Sequence, residues 1–313
     1  MNRKEMLQQI ESASQWDLII IGGGATGLGA ALDAAVRGYK TLLIEQHDFA
    51  KGTSSRSTKL VHGGVRYLAQ GNIKLVVEAL KERGRLLRNA PHITSAQPFV
   101  LPVFSRWQKF YYSIGLKIYG LLSGKLSLGR TEILSKQQTE KLLPSLRSEN
   151  VKGGIKYFDG QFDDTRLAID LACTAVYYGA TVLNYCKATG LKKKDGKIIS
   201  VIAKDELNNV EYELHGKSFI NATGVFTDAV MQMDETLHNK MVSPSQGIHL
   251  VINKKHFAGD NALMIPKTDD GRVLFAVPWH DEVVVGTTDT PIEKISSEPK
   301  ALEEEIEFII KHF

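Results

Sequence analysis

Three glycines near the N-terminus have the spacing of a phosphate-binding turn. Asp17 is followed by a short apolar run over residues 18–21, which leads into Gly22, Gly24 and Gly27 and then into small residues. This order predicts a buried strand, a tight turn and a helix packed closely on the strand. Gly22 permits the turn, Gly24 lets the backbone approach a pyrophosphate, and Gly27 lets helix and strand touch. The amide groups and dipole at the helix N-terminus can then bind the phosphates of a dinucleotide.

An acidic residue follows at the distance that ribose binding requires. A second apolar run occupies residues 40–44, and Glu45 closes it, eighteen positions after Gly27. A carboxylate at this place can bind the ribose hydroxyls of a dinucleotide. The alternative is a glycine-rich turn with nothing bound, which leaves the position of Glu45 unexplained. The spacing therefore predicts a dinucleotide site within residues 17–45.

The next stretch, residues 46–68, is dense in hydroxyl groups and glycines and also carries cations and His62. Such a composition packs poorly in a core and suits a loop around a polar ligand. A solvated surface loop is the alternative. The formal net charge of the chain is only +4. This value does not indicate nucleic acid, but it suits an anionic substrate or a lipid surface.

The elements that must position these residues follow from hydrophobic spacing. We expect helices over residues 73–90, 131–149, 163–179 and 300–313. We expect one strand at 181–184, a meander of three short strands over 186–214, and a separate parallel strand over 217–224. Several further strands are expected between residues 246 and 286.

The hydroxyl-rich stretch resembles a known signature. Residues 53–67 look like the motif of FAD-dependent glycerol-3-phosphate dehydrogenases, the respiratory, quinone-reducing enzymes, whose family includes glycerol-3-phosphate oxidases. Later segments agree with this resemblance, namely residues 157–167, 220–224, 245–250, 277–279 and 286–289.

The resemblance implies an α/β fold with α+β insertions. A glutathione-reductase-like, FAD-binding Rossmann domain would be interleaved with an antiparallel-sheet substrate domain. We expect residues 15–90 and 150–230 in the FAD domain, and residues 91–149 and 231–313 in the substrate domain. Family members continue into a second flavin-binding motif and a C-terminal domain. The substrate domain is therefore expected to be incomplete here, and the activity of this length of chain is an open question.

The reaction that the resemblance implies is oxidation of sn-glycerol 3-phosphate to dihydroxyacetone phosphate by hydride transfer to FAD, with electrons passed to a quinone. A dianionic phosphate requires fixed cations, and Arg66 is the first choice, with Tyr67 beside it. Lys59 is expected to serve the substrate or the flavin. His62 and His249 are the candidate bases, although His62 could instead hold the flavin through its backbone. The residues expected to bind FAD are Gly22, Gly24, Thr26, Gly27, Glu45, Gln46, Thr53, Ser54, Ser55, Lys59, Leu60, His62, Gly63, Gly64, Ala188, Ala222, Thr223 and Gly224.

Other functions fit parts of the same pattern. A glycerol-3-phosphate oxidase would consume oxygen without added quinone. An amine oxidase such as the sarcosine and glycine oxidases shares the fold, but Arg66 and Lys59 favour a phosphate over an amine. A non-catalytic, FAD-binding fragment that needs a partner chain is an alternative of a different class. An NAD domain is a weaker alternative, because the loop over residues 53–67 has no obvious task there.

Residues 104–125 interleave aromatic and aliphatic side chains with Arg and Lys and contain no acid. A basic amphipathic helix of this kind can lie in an anionic membrane surface, and packing on its own domain is the alternative. No apolar run reaches about 18 residues, so no transmembrane helix is expected. Cys173 and Cys186 lack metal-ligand spacing, which indicates a reduced intracellular protein without a metal site. We expect a cytoplasmic protein, peripheral on the cytoplasmic face of the membrane. The sequence does not determine the oligomeric state.

Overall fold

The computed structural model describes residues 1–234 and 239–313. Its helices are α1 (Arg3–Ser12), α2 (Ala25–Val36), α3 (Val65–Ala69), α4 (Ile73–Asn89), α5 (Arg106–Leu122), α6 (Lys136–Leu142), α7 (Asp164–Tyr177), α8 (Thr227–Asp234) and α9 (Glu303–His312). Its strands are β1 (Trp16–Ile21), β2 (Thr41–Ile44), β3 (Leu60–Val61), β4 (Thr94–Val103), β5 (Glu132–Leu134), β6 (Gly153–Phe162), β7 (Thr181–Leu183), β8 (Cys186–Lys194), β9 (Lys197–Asp205), β10 (Val210–Asn221), β11 (Ser245–Gln246), β12 (His249–Asn253), β13 (Ala262–Ile265), β14 (Leu274–Trp279), β15 (Glu282–Gly286) and β16 (Thr290–Pro291).

The chain divides into two compact units. The first consists of residues 1–57, 164–244 and 291–299, and the second of residues 58–163, 245–290 and 300–313. These limits differ from the expected domain boundaries, since residues 58–90 were expected in the first domain and lie in the second unit. They belong to the second unit because β3 pairs with β6 and α4 packs with β4 in its core.

The first unit is built on a six-stranded sheet with the order β7-β2-β1-β10-β9-β8. Strands β7, β2 and β1 and the end of β10 run parallel, as a Rossmann domain requires. Helices α2 and α7 cover one face through small residues such as Ala31 and Ala172. Helix α1 and the inner side of β8 to β10 form a second core with Ile19 and Leu42. Each fully buried aliphatic side chain stabilises such a core by roughly 1.5–3 kcal/mol. The predicted α/β class is confirmed.

One strand joins two elements that the sequence analysis expected to be separate. Strand β10 pairs antiparallel with β9 over residues 210–215 and parallel with β1 over residues 216–221. The expectation of a meander strand followed by a separate parallel strand was therefore wrong. Gly216 stands at the change of partner, where an added Cβ would lie 3.0 Å from the Ile19 side chain. The absence of a side chain at Gly216 leaves room for Ile19 and Phe219 at the point where β10 turns from one partner to the other.

The second unit is built on an eight-stranded, mainly antiparallel sheet. Its order is β12-β15-β14-β13-β4-β6-β3, with β5 also paired to β6, and only β13 and β4 run parallel. Helices α4 and α5 contribute to one core together with β4 and β6. A second core involves Leu134, Phe257 and Ile309 of α9. The strands expected between residues 246 and 286 are confirmed as β12 to β15, and the helices expected at 73–90, 163–179 and 300–313 are confirmed as α4, α7 and α9. The helix expected over residues 131–149 is shorter, because β5 precedes α6.

Candidate functional site

The dinucleotide turn of the first unit has the close approach that its glycines predict. Gly22 follows β1 with φ +116°, and a Cβ there would lie 2.5 Å from the Ala222 carbonyl oxygen. A Cβ on Gly27 would lie 1.9 Å from the Gly22 carbonyl oxygen. Helix α2 therefore touches the strand end directly. Gly24 caps α2 without a side-chain bond, and the Ala25 amide donates to Ser54 Oγ at 2.9 Å.

Glu45 is held beside this turn by main-chain amides. Its Oε2 accepts from the Gly23 amide at 2.6 Å, and its Oε1 accepts from the His47 amide at 2.8 Å. A carboxylate offers about four lone-pair positions, so each oxygen keeps one for a further donor. The carboxylate is thus oriented at the end of β2 and can still accept from a ribose hydroxyl.

The hydroxyl-rich loop of this unit is fastened to the same helices. Residues 53–55 form a short 3₁₀ turn, and Ser54 bonds to the start of α2. Ser57 donates through Oγ to Asp164 Oδ2 at 2.7 Å, and its amide donates to the same oxygen at 3.1 Å. The loop is therefore held between α2 and α7, with the Ser54 side chain at the dinucleotide turn.

The end of β10 closes the turn from the other side. The Ala222 amide donates to the Ile21 carbonyl at 2.8 Å, and Gly224 has φ +59°. Thr223 Oγ1 donates to Asn221 Oδ1 at 2.6 Å. The Ala188 side chain, by contrast, is buried in the core, so this residue can contribute only its main chain to a ligand.

The second unit carries the predicted substrate-side residues on a loop and a short helix. Lys59 has φ +60° and its carbonyl accepts from the Phe162 amide at 3.0 Å. Gly64 has φ +73° and caps α3, which carries Arg66 and Tyr67. The Arg66 guanidinium lies 5.4 Å from the centre of the Tyr67 ring, and the side chain is exposed. An exposed guanidinium held on an aromatic face is suited to an anion.

His62 makes one hydrogen bond that defines its neutral tautomer. The Gly64 amide donates to His62 Nδ1 at 2.9 Å. Because an amide can only donate, Nδ1 is the acceptor, and the neutral ring carries its proton on Nε2. His62 therefore presents an N–H donor rather than a basic nitrogen.

The register of the sheet places His249 two strands away from Phe275, the residue beside the His62 ring. His249 and Phe275 both pair with Gly286, one on each side of it, and the His62 ring lies 6.5 Å from the Phe275 ring. His249 Nε2 lies 2.8 Å from Thr58 Oγ1, the hydroxyl just before Lys59. The structure thus brings His249 into contact with Thr58, and it places His62 beside Phe275, two strands away from His249 in the same sheet. Thr58 was absent from the predicted site residues, although its place inside the hydroxyl-rich signature could have indicated it.

The segments around His249 are tied by a buried carboxylate on α9. Glu305 is 2% exposed and accepts from Gln246 Nε2, Thr288 Oγ1 and Thr290 Oγ1 at 2.8–3.0 Å. Its burial raises the pKa, but the hydrogen bonds from the Leu302 amide and these side chains outweigh this effect and lower it. Glu305 therefore stays ionised at neutral pH and holds the strands that flank Gly247 and Gly286.

Known proteins resemble this chain over nearly all of its length. The mitochondrial glycerol-3-phosphate dehydrogenase of Schizosaccharomyces pombe is 40% identical over 99% of this chain and 50% of its own. The enzyme of that name from Homo sapiens is 42% identical over 99% of this chain and 44% of its own. The crystal structure of glycerol-3-phosphate dehydrogenase from Bacillus halodurans complexed with FAD is 36% identical, with a TM-score of 0.81, and 99% of this chain and 54% of that chain align. The chain thus spans about half the length of these relatives.

The predicted cofactor, FAD, agrees with both the comparisons and the geometry. The Bacillus halodurans structure contains FAD. In this chain, backbone carbonyl oxygens leave no room for a Cβ at Gly22 or Gly27. The Glu45 carboxylate is oriented at the end of β2. These residues fit the pyrophosphate and ribose of a dinucleotide. A family model described as FAD dependent oxidoreductase matches residues 17–313. The chain therefore belongs to the family of FAD dependent oxidoreductases.

Proposed function

We propose that this chain is the FAD-binding and substrate-binding part of a glycerol-3-phosphate dehydrogenase. The substrate would be sn-glycerol 3-phosphate, the product dihydroxyacetone phosphate, and the electron acceptor a quinone. The observation that carries the proposal is the contact of His249 with Thr58, on the segment that also carries His62 and Arg66, within a chain about 40% identical to dehydrogenases of that name. When bound, FAD supplies the acceptor for the hydride that leaves C2 of the substrate.

The residues of this chain divide the remaining tasks by their chemistry. We propose Gly22, Gly24, Glu45 and the loop over residues 53–55 for the dinucleotide. The guanidinium of Arg66 is proposed to bind the substrate phosphate, since its planar fork matches phosphate oxygens. Lys59 remains a proposed second cation for either ligand.

We assign the base to His249 rather than to His62. The basic nitrogen of His62 is occupied by the Gly64 amide, a group that can only donate. His249 instead contacts the Thr58 hydroxyl, which can donate or accept and can rotate as the ring takes up a proton. His249 would accept the proton of the C2 hydroxyl, while the Nε2–H of His62 would donate to an oxygen of the substrate or a cofactor atom.

An anaerobic titration tests this proposal. The purified chain is expected to show a flavin absorbance spectrum that bleaches on addition of glycerol 3-phosphate and returns on addition of a quinone. Glycerol without the phosphate serves as the control and should not bleach the flavin at the same concentration. His249→Asn should slow bleaching by roughly 10²–10⁴-fold, the usual range for a lost general base, with the flavin still bound. Bound flavin that glycerol 3-phosphate does not bleach would contradict the substrate assignment. Rapid return of colour with oxygen alone would instead favour an oxidase.

Helix α5 supports a further part of the proposal, association with an anionic membrane surface. No helix within residues 1–234 and 239–313 is long and apolar enough to cross a membrane. One face of α5 packs into the second unit through Leu116 and Tyr119. The opposite face exposes Trp107 by 70% and Leu121 by 78% of their surface. The other exposed apolar residues of this helix are Phe110, Tyr111, Ile114 and Ile118.

Cations border the exposed apolar face. A groove beside α5 is lined by Phe110, Ile114 and Ile133 together with Arg106, Lys109 and Lys117. Helix α5 contains no acidic residue. Apolar side chains among acyl chains and cations at lipid phosphates are the arrangement of a helix lying in a membrane interface. We propose that α5 places the protein on the surface of a membrane, where a quinone is accessible. We further propose that this surface is the cytoplasmic face of the membrane.

Replacing Trp107 and Leu121 by serine is expected to weaken vesicle binding more than tenfold. Each side chain contributes roughly 1.5–3 kcal/mol when it leaves water. Flotation with vesicles that contain an anionic phospholipid would measure the bound fraction at low and high salt. Tyr177→Ser is the matched control, because Tyr177 is 82% exposed at the end of α7. Equal binding of the double variant and the control would place the membrane contact elsewhere.

A further inference from the structure

Three polar side chains are buried together beneath the loop that carries His62. Arg83 of α4, Tyr119 of α5 and Asp159 of β6 are 1%, 2% and 3% exposed. They lie among apolar residues of the second unit such as Leu80 and Phe99. A buried ion pair is often no more stabilising than apolar residues of the same volume. Stability alone therefore does not account for the presence of this group in the core.

The hydrogen bonds of this group converge on the Asp159 carboxylate. Arg83 Nη1 donates to Asp159 Oδ1 at 2.8 Å, and Tyr119 Oη donates to Asp159 Oδ2 at 2.6 Å. The Gly63 amide in turn donates to Tyr119 Oη at 2.6 Å. Burial, and then the negative charge of Asp159, raise the pKa of Tyr119 well above its usual range. The tyrosine proton therefore stays on the hydroxyl and points to Asp159, which leaves the oxygen to accept from Gly63.

The backbone of Gly63 also packs directly against the Leu80 and Tyr119 side chains. A Cβ at Gly63 would lie 2.4 Å from Leu80 Cδ2 and 2.6 Å from Tyr119 Oη. His62 precedes Gly63, while Gly64 follows it and caps the helix that carries Arg66. The position of the Gly63 amide therefore determines where His62 and Arg66 are presented.

We propose that Tyr119 is a positioning residue, which Arg83 and Asp159 hold in place so that its hydroxyl anchors the Gly63 amide between His62 and Arg66. This inference rests on the proposed function, since it assigns a supporting group to the same loop. Tyr119 touches neither substrate nor cofactor in this role. A misplacement of about 1 Å in a substrate-positioning group can cost about a hundredfold in rate. The anchor is thus expected to influence the reaction through the loop alone.

A second buried tyrosine provides a matched control. Tyr157 lies in the same core, its ring centre 6.4 Å from that of Tyr119, and it is also 2% exposed. Its hydroxyl donates to Met264 Sδ at 3.1 Å and not to the loop. Tyr157→Phe therefore removes a buried hydroxyl without touching Gly63.

Hydrogen exchange of the full chain tests the anchor without any substrate. In Tyr119→Phe, the amide of Gly63 is expected to exchange about tenfold faster, the factor for loss of one hydrogen bond. Peptides from β1 and α2 should keep their protection, as should all peptides of Tyr157→Phe. Faster exchange throughout Tyr119→Phe, or the same change in both variants, would mean a general loss of stability and overturn the proposal. Unchanged exchange at Gly63 would also overturn it.

The reductive titration then connects the anchor to the reaction. Tyr119→Phe should retain flavin but bleach with glycerol 3-phosphate about tenfold to a hundredfold more slowly. Tyr157→Phe should differ from the unmodified chain by less than about twofold. Failure of the unmodified chain to bleach would count against the proposed function, whereas the exchange result judges the anchor independently. Equal bleaching rates in the two variants would overturn the positioning role.

Discussion

Gly27→Ala is expected to abolish FAD binding. The added Cβ would lie 1.9 Å from the Gly22 carbonyl oxygen and 3.3 Å from the Ala222 Cβ. The atom in the way belongs to the backbone at the end of β1, so no side-chain rotation relieves the clash. Overpacking of a tight interior typically costs about 1–3 kcal/mol, and here the helix must also move away from the turn that binds the pyrophosphate. We expect the flavin content per chain, measured by absorbance after gel filtration, to fall more than tenfold.

The same helix offers a matched control two residues further on. A Cβ at Gly29 would meet no atom within 4 Å. Gly29→Ala should therefore retain the flavin and stabilise the chain by about 0.5–1 kcal/mol, since alanine favours the helix. Thermal unfolding would measure this difference. Full flavin content in Gly27→Ala would show that the close packing of α2 on β1 is not required for the cofactor.

The contrast between these glycines shows why the glycine turn between β1 and α2 was predictable. A dinucleotide turn is a local structure, in which strand, turn and helix follow one another within about 30 residues. Each glycine acts on atoms that are near in sequence or on one neighbouring strand, as Gly27 does on Gly22. The acid at residue 45 is equally local, because the next parallel strand must end beside the same turn. Short-range patterns of this kind can be identified in a single sequence.

Pairings between distant residues were not predictable in the same way. The length of β10 depends on two different partners, β9 and β1, and the polar pattern of residues 210–221 does not reveal the change. The contact of Thr58 with His249 spans 191 positions, and that of Gly63 with Tyr119 spans 56. Tyr119 also stands in a helix whose apolar residues suggested only packing or membrane contact. The fold must be known before such a residue can be connected to the loop that it holds.

Helix α5 illustrates a related difficulty. Its sequence predicted either a membrane-bound helix or a helix packed on its own domain, and those two were treated as alternatives. In the structure one face packs through Leu116 and Tyr119, while Trp107 and Leu121 are exposed on the other side. A helix with apolar residues around most of its circumference can do both. Which residues belong to which face is decided by the tertiary contacts.

Arg66→Ala is expected to raise the concentration of glycerol 3-phosphate needed for half-maximal bleaching by about 10–150-fold while the flavin stays bound. A hydrogen bond to a charged group contributes about 1.5–3 kcal/mol, which corresponds to this range. The side chain is available for an anion, because no carboxylate in the described parts of the chain pairs with Arg66 and Tyr67 supports its guanidinium. Arg66→Lys should give an intermediate value, since lysine retains the charge but cannot bind two phosphate oxygens with a planar fork.

Arg85→Ala is the control that separates a specific role from the loss of one positive charge. Arg85 is an exposed arginine of α4, and it pairs with Glu82 on the helix surface. Its replacement should leave the titration unchanged. If Arg66→Ala and Arg85→Ala behaved alike, Arg66 would not bind the phosphate, and the cation would have to be sought elsewhere. If only Arg66→Ala weakened the response to glycerol 3-phosphate and flavin content stayed constant, the effect would lie in substrate binding. The helix that Gly64 caps would then carry the phosphate site, and the hydrogen bond from Gly63 to Tyr119 beneath it would hold that site in position.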